Sequence, residues 1–296
     1  MSTIIELPSR RDTLPPYYDV TEDHELDELD DVKTSSPADA LPRYSAVFNH
    51  EAKSSTSSTP GFLATKTLQI QTKGQRLIAP PSAPRPDPIY IHAVTPAGAV
   101  DQAEYVSIRP ARNSGSCFLA RASDPDRKPV CGTTYLFGPG RPPTLRLAGG
   151  EDIELATRRV LSHGTRMRTP LGTFEWYYAM SRQERRAVGP HVDSLLVLER
   201  TTVVVLAGGK WEVRRRRVGQ FVRGDGLRTE GTSRSSAGNG GRLMLDLREW
   251  ADRKDELAQM EVLAVASCVA MLKKEVDRRR SHQSLVLMAA VGGGAC

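Results

Sequence analysis

Residues 262–272 read VLAVASCVAML and decide the fold, because no charged side chain would lie on any face of a helix built from them. They belong to a longer segment, residues 252–280, that lacks Gly and Pro and is rich in helix-forming residues. A helix that is apolar all round is buried on all sides. Eleven residues span about 16 Å at 1.5 Å per residue, against about 30 Å for a bilayer core. The sequence therefore predicts a helix buried in protein rather than in lipid.

The chain before this helix consists of short β-like runs separated by Gly, Pro and Asp. The predicted strands are residues 67–71, 89–94, 104–109, 116–121, 131–137, 153–161, 173–178, 195–201, 203–207, 211–222 and 242–247. Strands at such short spacing predict a sandwich or a barrel. A β-rich chain that ends in a fully buried helix predicts an all-β barrel closed around that helix.

Three connections have their own signals. Residues 195–201 and 203–207 read as a tight pair, and the Gly/Ser/Thr-rich residues 224–241 read as a mobile loop. Gly208, Gly209 and Lys210 read as a hairpin turn, since the spacing of a Walker loop is not met. Ser181 and Glu184 have capping-box spacing, which predicts a short helix over residues 181–187.

Charge divides the chain at about residue 60. Residues 1–60 hold 12 acidic and 5 basic residues, whereas residues 61–296 hold 23 acidic and 36 basic ones, a net charge of +13. Large apolar residues are sparse in the first part, so it cannot bury enough surface to offset its ordering entropy. We predict a disordered acidic tail over residues 1–60, a barrel over 61–282 with its central helix at about 252–280, and a short C-terminal tail over 283–296.

Composition also limits the class of protein. No run of about 18 apolar residues exists, so we expect no transmembrane helix. Residues 1–13 are polar, so we expect no secretory signal. The four cysteines, Cys117, Cys131, Cys268 and Cys296, form no CxxC pair, which indicates a reduced intracellular compartment and neither a zinc framework nor a disulfide scaffold.

Two short motifs lie in the predicted tail. Pro15, Pro16 and Tyr18 satisfy the PPxY pattern of WW-domain ligands, and Leu41, Pro42 and Tyr44 fit the related LPxY variant. Adjacent prolines favour a polyproline II conformation that docks on an aromatic groove at low entropic cost. The alternative is coincidence, because four-letter patterns recur easily in proline-rich tails. If both motifs are ligands, avidity would favour a partner with tandem WW domains, such as a HECT-class ubiquitin ligase.

The densest basic run is Arg214, Arg215, Arg216 and Arg217. On a strand at most two of the four share a face, because successive side chains alternate. If Val213 and Val218 are both buried, their odd spacing predicts a bulge or an edge within the run. One interpretation is contact with an anionic phospholipid surface, and the other is a solvated outer face of the barrel.

Enzyme signatures are missing from the sequence. The six histidines have no metal-ligand spacing, and the chain has no HExxH motif. Cys117, Cys131 and Cys268 lie in apolar runs and read as small core residues. We therefore expect no catalytic residue, no cofactor and no metal, and we expect no nucleic-acid partner because no stripe of alternating aromatic and basic residues is visible.

Several longer phrases resemble a known group. They are SIRPARNSGSCFLARASDP at 107–125, YLFGPGRPP at 135–143, LGTFEWYY at 171–178, DSLLVLERT at 193–201, GRLMLDL at 241–247 and DRRR at 277–280. They look like fungal proteins with a tubby C-terminal-like domain, a fold shared with plant LURP-one-related proteins and phospholipid scramblases. The resemblance covers roughly residues 61–282 and implies a twelve-stranded closed barrel around a hydrophobic C-terminal helix. For animal tubby proteins the family implies binding to phosphorylated inositol lipids.

These observations predict a non-enzymatic intracellular adaptor, cytoplasmic and peripheral to a membrane, with WW ligands in its tail and an anionic-lipid surface on its barrel. A nucleic-acid-associated or regulatory nuclear protein is one alternative, which would need one concentrated basic face. An enzyme of unknown chemistry is the other, which would need a polar cleft with paired acid and base groups.

Overall fold

The computed structural model describes residues 61–79, 87–111, 115–135, 141–148, 150, 152–157, 164–205 and 211–292. The predicted acidic tail and the predicted turn at Gly208, Gly209 and Lys210 both lie outside these residues. The described residues form one antiparallel sheet of thirteen strands, a short helix α1, one 3₁₀ turn and a long helix α2. The predicted combination of an all-β fold with a C-terminal helix is confirmed.

The strands are listed in chain order. They are β1 Lys66–Gln71, β2 Ile89–Val94, β3 Val100–Ile108, β4 Cys117–Arg121, β5 Pro129–Thr134, β6 Thr144–Leu147, β7 Asp152–Glu154, β8 Ala156–Thr157, β9 Thr165–Thr169, β10 Gly172–Tyr178, β11 Val192–Val205, β12 Trp211–Gly224 and β13 Gly241–Leu245. The helices are α1 Arg182–Val188 and α2 Lys254–Gly292, and the 3₁₀ turn is Arg248–Trp250.

The sheet curls into a nearly closed barrel. Its order runs from β7 down to β1, crosses to β13, and runs down again to β8. The two edge strands, β7 and β8, are separated in the chain by Leu155 alone, and β7 also contacts β9. Leu155 is buried at this seam, and its backbone N–H donates to the carbonyl oxygen of Pro143 at 2.8 Å.

The predicted count of twelve strands is wrong, because the described residues contain thirteen. The apolar run at 153–161 was expected to be one strand, but the chain passes from one edge of the barrel to the other at Leu155 and forms two short strands there. Two further strands, β6 and β9, have the sequences TLRL and TRMRT. Each has only one fully buried apolar side chain, Leu145 or Met167, so neither stands out as an apolar run.

Helix α2 occupies the inside of the barrel. Every residue from Met260 to Leu272 is buried, and ten of these thirteen share one apolar cluster with the inward side chains of the strands. The strands contribute large side chains such as Tyr105, Trp176 and Phe221 to that cluster. The prediction of a helix buried on all sides is confirmed. The helix also continues past residue 280, its predicted end, to Gly292.

Residues 195–201 and 203–207, predicted as a tight pair, instead lie in one continuous strand as far as Val205. Strand β11 pairs with β12 along its full length, from Val192 opposite Gly224 to Val205 opposite Trp211. Leu196 and Leu198 belong to the interior cluster, whereas Leu195 and Val197 belong to a second cluster on the outer face. Both faces are covered, so the first half of the strand is apolar at every one of these four positions.

Two connections are well packed. Helix α1 begins as predicted, with the Ser181 hydroxyl accepting from the Gln183 backbone N–H at 3.2 Å. The loop that follows β12 was expected to be mobile, yet Ser236 and Asn239 within it are buried. Gly238 in the same loop lies directly against α2. This loop therefore covers the end of the barrel from which α2 emerges.

Candidate functional site

The arginine run lies at the beginning of β12. Opposite it on β11, the register shifts by one residue, because Arg217 pairs with Glu199 and Gly219 pairs with Leu198. Val218 falls in this bulge and is fully buried, but Val213 is 42 % exposed. The sequence predicts a bulge or an edge here on the condition that both valines are buried. The bulge is present, but only Val218 is buried.

The four arginines divide into an exposed pair and a pair held by the fold. Arg216 contacts Asp246 at 3.2 Å and Glu249 at 3.4 Å, and Arg217 contacts Glu184 on α1 at 2.8 Å. Arg214 is exposed, and its guanidinium contacts the near neighbour Glu212 at 3.2 Å. Arg215 is exposed as well.

Asp246 is the centre of a cluster that closes the barrel end where α2 begins. Its carboxylate is fully buried and accepts hydrogen bonds from Arg216, from Arg248 and from the backbone N–H of Leu63. Burial alone would raise the pKa of Asp246, but the hydrogen bonds from Arg248 and Arg216 outweigh it and hold that pKa below its usual value.

Glu249, in the 3₁₀ turn, joins a second arginine to the same end of the barrel. It forms an ion pair with Arg200 of β11, and the Arg200 guanidinium lies 5.5 Å from the centre of the Trp250 ring. Arg216 contacts Glu249 as well, so β11 and β12 are both tied to the turn that leads into α2. These arginines fasten the barrel wall to the start of the helix, which leaves Arg214 and Arg215 as the part of the run that an external anion could reach.

A second buried cluster lies near the other end of the barrel. Arg223 of β12 donates to the Glu275 carboxylate of α2 at 2.5 Å. The Gly238 backbone N–H donates to the same carboxylate at 2.7 Å, and the Tyr178 hydroxyl donates to it too. Burial would raise the pKa of Glu275, but the charge and the hydrogen bonds of Arg223 lower it overall. Sequence reasoning missed this cluster, because Glu275 follows two lysines and reads as a surface charge.

The last part of α2 exposes a run of large apolar side chains. Leu285, Val286, Leu287 and Met288 are 59 %, 68 %, 49 % and 71 % exposed. Beside them, Leu77 and Ile78 are 51 % and 92 % exposed. The sequence analysis assigned residues 283–296 to a short tail. The apolar stretch LVLMAAV at 285–291, after the basic residues 278–280, is the pattern that could have indicated this surface.

An open cleft of about 590 Å³ is lined by residues of β2, β3 and β4 and of the turn after β4. Its lining includes Glu104, Arg121 and Arg127. Arg121 donates to Glu104 at 3.3 Å, and its guanidinium lies 4.3 Å from the centre of the Tyr105 ring. The charge of Arg121 is therefore compensated within the protein.

The described cysteines behave as packing residues. Cys131 and Cys268 are buried and Cys117 is partly buried. Burial raises the pKa of Cys131 to about 12 and raises that of Cys268 as well, so neither thiol is ionised near neutral pH. In the parts of the chain that the structure describes, no group of three His, Cys, Asp or Glu residues is placed to hold a metal ion.

The predicted WW ligands, Pro15, Pro16 and Tyr18 with Leu41, Pro42 and Tyr44, lie outside the described residues, as does Cys296. None of the helices within the described ranges combines the length and the apolarity that crossing a bilayer requires.

Comparisons with known proteins find no family model, no curated protein and no solved structure that matches this chain. The resemblance to tubby-like domains therefore stays a prediction from the quoted phrases.

Proposed function

We propose that this protein is a non-enzymatic adaptor, in which a helix-filled barrel carries a tail of WW-domain ligands. The observation that supports this proposal most directly is the position of α2. Small barrels that hold a ligand do so in their interior, and here residues 260–272 fill that space. A partner would then bind to the outer surface of the barrel or to the tail.

The first described residues are bonded to the barrel. Arg248 donates to the carbonyl oxygen of Gly61 at 2.8 Å, and the Leu63 backbone N–H reaches the buried Asp246 carboxylate at 3.4 Å. The chain from residue 61 is thus fastened to the barrel end where α2 begins.

The proposed partner is a protein with tandem WW domains, for example a HECT-class ubiquitin ligase. The Pro15–Pro16 pair would adopt polyproline II, and Tyr18 would fill the adjacent pocket. The acidic residues after Tyr18 would raise the association rate with a basic WW surface rather than add much affinity. The second motif, around Tyr44, would engage a neighbouring WW domain and add avidity.

Binding of the full chain to a tandem-WW fragment tests this proposal. We expect Tyr18→Ala to remove most of the binding, Tyr44→Ala a smaller share, and the double variant nearly all of it. Tyr90→Ala, at an exposed strand residue of the barrel (39 % exposed), is the matched control and should bind as the parent does. Equal binding by the double variant and the parent would show that the motifs are coincidental.

A second candidate function is contact with an anionic phospholipid surface, which would be peripheral. It is favoured by the +13 charge of residues 61–296 and by the exposure of Arg214 and Arg215. Each Lys or Arg near an anionic surface contributes about 1 kcal/mol at low salt. We expect such binding to be lost in about 0.5 M salt, where the screening length is roughly 4 Å.

A further inference from the structure

We propose that the exposed end of α2 docks on an anionic membrane by inserting an apolar tip into the headgroup region. The tip consists of Leu77, Ile78, Leu285, Val286, Leu287 and Met288. This inference rests on the proposed contact with an anionic phospholipid surface. It gives that contact a site other than Arg214 and Arg215. It is independent of the WW-ligand proposal.

The two halves of the tip are held side by side by Gln283. Its side-chain amide donates to the backbone carbonyl oxygens of Arg76 at 2.9 Å and Leu77 at 2.8 Å. In return, its carbonyl oxygen accepts from the Gln75 side chain at 3.1 Å. The segment that carries Leu77 and Ile78 is therefore fastened to α2 two residues before the exposed run begins, and the two apolar segments form one surface.

The arrangement of the apolar residues favours lipid over a protein groove. A groove accepts one stripe of a helix, with anchors at i, i+3, i+4 and i+7. Residues 285–288 are consecutive, so at 100° per residue they point to all sides of the helix, and all four are substantially exposed. A helix end that is apolar on all sides suits an environment that surrounds it, as the acyl boundary of a bilayer does.

Length supports a shallow insertion. The helix extends about 11 Å from Leu285 to Gly292 at 1.5 Å per residue. Interfacial segments bury their apolar parts about 5–10 Å into the boundary between headgroups and acyl chains. This part of α2 is therefore long enough to enter the interface and much shorter than a bilayer core of about 30 Å.

Basic residues precede the tip on both segments. Lys73 and Arg76 are exposed just before Leu77, and Arg278 and Arg279 are partly exposed one to two turns before Leu285. Neither residues 72–86 nor residues 278–296 contain an Asp or Glu. A cationic segment followed by an apolar one matches an anionic interface, in which the charged headgroups lie outside the acyl chains.

The tip and the arginine run lie toward opposite ends of α2. Arg216 contacts Glu249, just before the helix, whereas Arg223 contacts Glu275, near its exit from the barrel. About 30 helical residues, roughly 45 Å, separate Lys254 from the start of the tip. One flat bilayer that receives the tip would not reach Arg214 and Arg215 at the same time, so the two lipid sites make different predictions.

The test is co-sedimentation of the full chain with vesicles of phosphatidylcholine containing 30 mol% phosphatidylserine, beside pure phosphatidylcholine vesicles. We expect Met288→Glu to weaken binding to the anionic vesicles about tenfold or more. Met180→Glu is the matched control, because Met180 is 83 % exposed elsewhere on the barrel, and it should change binding less than twofold. In a separate variant, Met288→Trp should show a blue shift of indole fluorescence when anionic vesicles are added.

Each other outcome overturns the inference. If Met288→Glu binds as the parent does while Arg214→Gln/Arg215→Gln does not, lipid contact stands but the tip is not its site. If the parent binds no anionic vesicle, both lipid proposals fail. If the parent forms oligomers that Met288→Glu dissolves, and neither binds vesicles, the tip is covered by a second copy of the chain instead.

Discussion

Arg223 of β12 and Glu275 of α2 form an ion pair of 2.5 Å inside the barrel, where their side chains are only 9 % and 7 % exposed. The pair connects the wall of the barrel to the helix that fills it. The Gly238 N–H and the Tyr178 hydroxyl saturate the same carboxylate, which joins β10 and the loop after β12 to the same point. One carboxylate thus fixes how α2 is placed against three parts of the barrel.

Removal of one partner of this pair should be much more damaging than removal of both. Arg223→Met leaves the Glu275 charge buried without its main counter-charge, so we expect the free energy of unfolding to fall by about 3–5 kcal/mol. Glu275→Leu should cost a similar amount. The double variant Arg223→Met/Glu275→Leu replaces the pair by apolar side chains and should recover most of the loss.

Urea unfolding of the four proteins, with a double-mutant cycle, measures this coupling. Losses that simply add in the double variant would mean that the two residues act independently, contrary to the observed contact.

Acid should destabilise the protein through Glu275 and Asp246. Both have a lower pKa in the folded chain than their usual value, so folding favours their charged forms. Their contribution to stability is complete above the unfolded-state pKa of about 4 and is lost as the pH falls through the lower folded-state pKa. We expect little contribution from these groups to any change between pH 7 and 5, and a decline in the free energy of unfolding below about pH 4.

Urea unfolding across this pH range checks the sign. The Arg223→Met/Glu275→Leu variant should show a shallower acid decline, because one of the two carboxyl groups is gone. A decline as steep as in the parent would place the responsible groups elsewhere.

Gly238 should tolerate no side chain. Its φ is +66°, and a Cβ there would lie 2.4 Å from Cγ2 of Val276 and 2.6 Å from the carbonyl oxygen of Leu272. Gly226 has a similar φ of +78°, but a Cβ there would meet nothing within 4 Å. Both alanine variants carry backbone strain of roughly 1–2 kcal/mol, and only Gly238→Ala must also move α2 or the loop.

Thermal unfolding of the two variants separates strain from collision. We expect Gly238→Ala to lower the melting temperature clearly more than Gly226→Ala does. Similar losses in both would indicate that the loop moves away from the helix at little cost.

The features that the sequence predicts well are local ones. The apolar run of α2 and the Ser181 cap of α1 are each visible within a few neighbouring residues, and both are present in the structure. Strand β11 was divided in two at Thr202, whereas pairing with β12 keeps this residue extended, with Thr202 opposite Arg214. That pairing is a tertiary effect, which overrides local preference.

The features that were missed depend on distant partners. Arg223 and Glu275 are 52 positions apart in the chain, and nothing in either neighbourhood indicates the other. The exposure of Leu285 and Ile78 depends on where the barrel ends along α2, which a linear apolar pattern does not contain. The same applies to Arg216 and Arg217, whose carboxylate partners come from other elements.

Within the arginine run, we expect some residues to stabilise the fold and others to be available to an external anion. Arg216 is one of the counter-charges of the fully buried Asp246, so Arg216→Gln should lower the free energy of unfolding by about 1–3 kcal/mol. Arg215→Gln, at an exposed side chain, should change it by less than about 0.5 kcal/mol. A variant that changes all four arginines to Gln would therefore mix loss of stability with loss of charge.

The informative variant for lipid binding is thus Arg214→Gln/Arg215→Gln. We expect it to keep the parent's urea midpoint, so that any loss of binding to anionic vesicles reports on charge alone. Arg166→Gln/Arg168→Gln on β9 is the matched control, because it removes the same charge from two exposed side chains three strands away from β12. If the arginine run contacts lipid, only the first variant should weaken binding. If both weaken it equally, net charge rather than the run attracts the vesicle, and if neither does, the exposed arginines take no part in lipid contact.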